Sequence, residues 1–118
     1  MDLYEKIQQK TNELDVTVKQ LRKSGNDKAE TEKNYKIALT QEALKLKDDK
    51  NAVTFISLII HGVRHIAELR LKRDVAETIY QANLESINSI KLQLRILENQ
   101  LDREWGQAKR SWLNGNWL

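Results

Sequence analysis

His61 and His65 stand four residues apart, with Glu68 three further on. On one unbroken helix all three would share a face, the spacing by which helical zinc motifs present two imidazoles to a metal. Gly62 lies between the histidines, however, and no glutamate holds the general-base position of such motifs. The sequence therefore favours a pair of polar residues at a helix junction over a metal site. Nothing else composes a catalytic constellation. Glycine-rich phosphate loops are absent, as is the Glu-x-x-His signature of carboxylate-bridged bundles. Cysteine is absent too, which excludes thiol nucleophiles, disulfides and thiolate metal sites. The expectation is a protein that is no enzyme and takes no cofactor and no metal.

Binding chemistry has two candidate locations. Arg64, Arg70, Lys72 and Arg73 form a basic cluster suited to phosphate contacts. Glu68, Asp74 and Glu77 are interspersed with it, which favours a solvated charged face. The second location is the C-terminal stretch. All three tryptophans lie there, Trp105, Trp112 and Trp117, with Lys109 and Arg110 among them. Trp105 and Trp112 are seven apart and share a helix face. Tryptophan anchors interfaces and, beside cations, stacks on bases. Trp105 is expected to be structural, and Trp112 and Trp117 at least partly exposed to a partner. The chain carries 20 Lys and Arg against 17 Asp and Glu, a formal net charge of +3. The excess is spread through both halves, with 11 against 10 in residues 1–50 and 9 against 7 in residues 51–118. Such a balance allows nucleic acid as a partner without demanding it.

The elements that must position these residues are helical throughout. The 118 residues include no proline and four glycines, so long helices are permitted. The pattern predicts one helical domain over 1–113, with helices at about 2–24, 27–50, 53–61 and 64–113, and a short turn and tail at 114–118. In the first segment Tyr4, Ile7, Thr11, Leu14, Val18 and Leu21 recur at heptad spacing. Gly25-Asn26-Asp27 interrupts it, and Asp27 with Glu30 forms a capping-box signature. A break is favoured there, against a helix that continues through Gly25 at a cost of ~1 kcal/mol. The second segment carries Tyr35, Ala38, Leu39, Ala43 and Leu46 on one stripe. Residues 52–61 are apolar and β-branched, so a short helix and a strand both fit; the helical context favours the helix.

From Arg64 onward one strong seam runs through Ile66, Leu69, Ala76, Tyr80, Asn83, Ile87, Ile90, Leu94, Leu97 and Leu101, broken once by Arg73. A polar Asn in such a seam fixes register or oligomer state. A second stripe shows at Val75, Ile79, Leu92 and Ile96. Two stripes demand contacts on two sides, and a lone hairpin satisfies one. The predicted fold class is thus all-α: a long antiparallel helical hairpin, coiled-coil-like, completed by dimerisation into a four-helix bundle with the seam as oligomer interface. No apolar run approaches the ~18–20 residues of a membrane span, and the acidic, amide-rich start is no secretion signal. A cytoplasmic protein that does not engage membranes is expected.

Three stretches carry a family resemblance: Glu42 to Asp48, Arg73 to Asn83 and Gln100 to Gly106. They resemble small, mostly uncharacterised helical proteins of phages and prophages of Gram-positive bacteria, encoded among early replication and recombination genes. The resemblance spans roughly residues 1–106. It implies an accessory protein inside a bacterial host, one that touches DNA metabolism or a host defence factor. It brings no catalytic residues. The leading expectation is a non-enzymatic, self-associating helical module that binds a host or phage protein, including as an inhibitor of a host factor. The alternative is a nucleic-acid-associated accessory protein of a recombination or replication module.

Overall fold

In the computed structural model, which describes residues 2–115, the chain is all-α. Helix α1 spans Leu3–Asp48, α2 spans Val53–Ile59, a 3-10 turn follows at Ile60–Gly62, and α3 spans Arg64–Leu113. Packing is organised in two compact units. The first comprises Met1–Lys19 with Leu84–Leu118, and the second is Gln20–Asn83. Both long helices contribute to both units.

The break expected at Gly25 does not form, and α1 runs through it. The reason is tertiary. Gly25 sits against Tyr80, so close that an added Cβ would lie 3.5 Å from its Cε2. Packing along the seam outweighs the ~1 kcal/mol helix penalty of glycine. Asp27 caps nothing; its carbonyl accepts the Thr31 hydroxyl at 2.8 Å. The real end of α1 comes at the polar run after Leu46. Lys50 takes the left-handed conformation at φ 66°. Its N–H donates to Lys47 O at 3.0 Å, and the Asn51 N–H reaches Leu46 O at 3.3 Å. This is a Schellman closure made with lysine where glycine is usual. The Asn51 side-chain amide donates to the same Leu46 carbonyl at 2.9 Å, which offsets the strained position.

The second unit is a helical hairpin. Contacts fix its two long segments as antiparallel: Ser24 meets Asn83, Lys28 meets Tyr80, Tyr35 meets Arg73 and Glu42 meets His65. The apolar stretch at 52–61 is helical, and it seats Ile56 and Ile60 in the core. Tyr35, Ile66 and Ala76 complete that core, with Ile66 at 0% exposure. In the first unit the opening turns of α1 lie beside the closing turns of α3. Ile87 and Ile90 are buried there, and Leu3, Ile7, Leu14, Leu94 and Leu97 are half-buried.

The inward stripe of α1 differs from the apolar reading at several positions. Tyr4 is exposed, whereas Thr17, Ser24 and Glu42 are buried. Each buried hydroxyl is satisfied locally, Thr17 by Glu13 O at 2.8 Å and Ser24 by Leu21 O at 3.0 Å. Such back-bonding is what allows Ser and Thr to sit inside a helical seam.

Candidate interaction surface

The α3 seam packs against α1 within one chain, unit by unit. Ile66, Ala76, Ile87 and Ile90 are buried in a single copy, while Leu69, Tyr80, Asn83, Leu94 and Leu97 are half-buried and Leu101 is exposed. Of the ten residues assigned from sequence to an oligomer interface, four are thus buried within the single chain and the other six keep exposed surface. Asn83 has a defined partner: its amide donates to Ser24 Oγ at 2.9 Å.

Arg73, the apparent interruption of the seam, belongs to it. Its guanidinium lies 4.5 Å from the Tyr35 ring centroid and donates to Asp74 Oδ1 at 2.9 and 3.0 Å. The hydrogen bonds to Asp74 raise its pKa above the usual arginine value, so it is charged throughout the accessible range. The basic cluster is divided accordingly. Arg73 faces α1, while Arg64, Arg70 and Lys72 are exposed on different sides of α3. Successive residues turn by about 100° around the axis, so Arg70 and Lys72 diverge.

The histidines take separate partners on α1. His61 Nδ1 lies 3.3 Å from the Tyr35 hydroxyl, and His65 Nε2 lies 3.4 Å from Glu42 Oε2. Glu68 is exposed and joins neither pair. Among the described residues, no three His, Asp or Glu side chains converge as a metal site requires. The histidines tie the turn end of the hairpin to α1.

Trp105, expected to be structural, is 73% exposed, and Trp112 is 61% exposed. Lys109 and Arg110 are exposed beside them, and Trp117 lies outside the described residues. From Gln107 to Gly115 every residue is exposed.

One flank of the second unit stands apart. Leu71, Val75 and Ile79 follow one another at helical spacing along α3 and are 64%, 49% and 52% exposed. They wall a groove of about 530 Å³ whose other wall is α1, at Ser24, Asp27, Glu30, Thr31 and Asn34. Lys72 lines it as well. Ile37 and Leu44 of α1 are also exposed but do not line the groove. The opposite flank carries Arg22, Lys36, Arg70, Asp74, Glu77 and Gln81, all exposed and polar. Sequence reading found Val75 and Ile79 through their periodicity. It missed Leu71, which precedes the stripe inside the basic cluster, and it missed the acidic wall, which only the pairing of α1 with α3 brings opposite.

No family model, curated protein or solved structure matches this chain. No helix among the described residues is long and apolar enough to cross a membrane.

Proposed function

We propose that this chain is a non-enzymatic helical module that self-associates and binds a protein partner. The observation that carries the reading is the unequal treatment of the two stripes of α3. The seam is buried or half-buried within the chain as far as Leu97, yet Val75, Ile79, Leu92 and Ile96 remain about half-exposed on the same helix. Large apolar side chains left in contact with water at helical spacing are a surface suited to association. A second copy of the chain supplies a matching surface by symmetry. The exposed Trp105 and Trp112 with Lys109 then offer an anchor to a protein partner, since buried aromatics dominate interface energetics.

The setting follows the resemblance: an accessory protein of a phage or prophage, acting in the bacterial cytoplasm on a host or phage protein. The alternative reading, a nucleic-acid-associated protein, draws on Arg64, Arg70 and Lys72. It has lost Arg73 to the seam, which leaves three cations on diverging faces. Thermal melting over a hundredfold range of protein concentration tests self-association. Linked association raises the melting temperature with concentration; a constant value across the range contradicts it.

A further inference from the structure

We infer that the groove flank of the second unit is the surface by which two copies of this chain meet, antiparallel, about a two-fold axis beside Val75. The inference rests on the self-association proposed above and names its interface. Three observations point to it.

The first is one-sidedness. Leu71, Val75 and Ile79 are the large apolar side chains of α3 left exposed in this unit, and they form one ridge beside one groove. The opposite flank is polar. An amphipathic pair of helices is one layer of a bundle, and a second layer on the apolar flank completes it.

The second is the ridge itself. Residues at spacings of four form the ridges that pack into the furrows of a facing helix. A two-fold axis at Val75 sets each Val75 against its counterpart and Leu71 of each copy against Ile79 of the other. Large apolar side chains then face one another along the whole ridge.

The third is charge. The seam contacts place Ser24 level with Asn83, Lys28 with Tyr80 and Tyr35 with Arg73. Asp27 and Glu30 are therefore level with the stretch from Glu77 to Gln81 on α3. The same axis at Val75 carries Lys72 of one copy to the level of residue 78 in the other, on the groove side. It arrives at the level of Glu30, one turn from Asp27, and symmetry repeats the pairing. Apolar and ionic complementarity thus select one register. Like-signed groups are not brought together, as a shift of the axis toward Lys72 would do by facing Lys72 with its own copy.

The chain has no cysteine, so single introduced thiols report the axis directly. A disulfide needs Cβ atoms about 3.5–4.5 Å apart, which residues on a two-fold axis satisfy. Val75→Cys is expected to oxidise to a covalent dimer in dilute solution, while Gln81→Cys on the polar flank does not. The paired substitution Val75→Asp with Ile79→Asp is expected to convert the dimer to a monomer with unchanged helicity by circular dichroism, since both positions are exposed. Lys72→Glu is expected to weaken the dimer at least tenfold, and adding Asp27→Lys and Glu30→Lys to restore it. If the unaltered chain is dimeric while Val75→Cys fails to crosslink or crosslinks no better than Gln81→Cys, this interface is overturned and self-association stands through another surface. If the unaltered chain is monomeric at tens of micromolar, both are overturned. The crosslink decides the matter even where the aspartate variant fails to fold.

Discussion

The two units of this molecule are built from the same two helices and yet are held in different ways. The first unit is an aliphatic zipper around Ile87 and Ile90, and its one ion pair among the described residues, Lys10 with Glu13 at 3.0 Å, joins neighbours on the same helix. The second unit is laced across its seam by directional contacts: Arg73 on Tyr35, Lys28 at 5.3 Å from the Tyr80 ring centroid, Asn83 to Ser24, His65 to Glu42 and His61 to Tyr35. Aliphatic contacts stabilise almost any register, whereas directional contacts are lost on a slip of one turn. The difference assigns the fixing of register to the second unit and much of the remaining apolar stabilisation to the first.

The comparison breaks most readily at Tyr35, which is buried and touches both Arg73 and His61. Tyr35→Ala is expected to destabilise by about 3–5 kcal/mol, the range for a buried aromatic. Tyr35→Phe keeps the ring for Arg73 and loses only the hydroxyl, so about 1 kcal/mol or less is expected. Denaturant titration measures both. Equal losses would show that the hydroxyl, not the ring, holds the hairpin.

Ile90→Ala sharpens the contrast from the other side. A cost of about 2–4 kcal/mol is expected, because the site is apolar and closely packed. Native-state hydrogen exchange should place the loss of protection in residues 3–19 and 84–106, with 20–83 retaining theirs. A uniform loss would mean that the two units unfold as one.

Asn83→Leu separates stability from register. A buried polar pair contributes specificity at some cost in stability. The variant is expected to be as stable as the parent or about 1 kcal/mol more so, but with doubled amide resonances near Ser24 and Asn83 from shifted pairings. A single set of resonances would remove Asn83 from the account of register.

The smallest effect is expected at Gly25. Its Cβ position lies in ordinary van der Waals contact with Tyr80, so Gly25→Ala should recover most of the helix penalty and stabilise by about 0.5–1 kcal/mol. A loss instead would mean that the added methyl disturbs the packing of Tyr80 on α1.

These same residues show how much was legible in the sequence. The α3 seam was visible because its members are apolar and strictly spaced, and its second stripe was visible for the same reason. The α1 seam was legible only in part. Thr17, Ser24 and Glu42 are buried in it, and polarity alone argues for the surface; their local carbonyl partners and His65 are invisible to periodicity. Arg73 read as an interruption because its aromatic partner lies 38 positions away. Gly25 read as a stop because helix propensity is local, while the Tyr80 ring that decides the matter is not. Trp105 read as structural because tryptophan is usually covered; its 73% exposure is not visible in spacing or residue type. The candidate surface needed the fold: Leu71, Val75 and Ile79 gained their meaning from Asp27 and Glu30 across the groove.

Association of the chain with itself is tested most directly by its mass in solution. Light scattering of the intact protein at tens of micromolar should return twice the 13.8 kDa of one chain, and the Val75→Asp, Ile79→Asp variant should return the single mass with its helix content intact. A single-chain mass for the unaltered protein at that concentration would contradict the account.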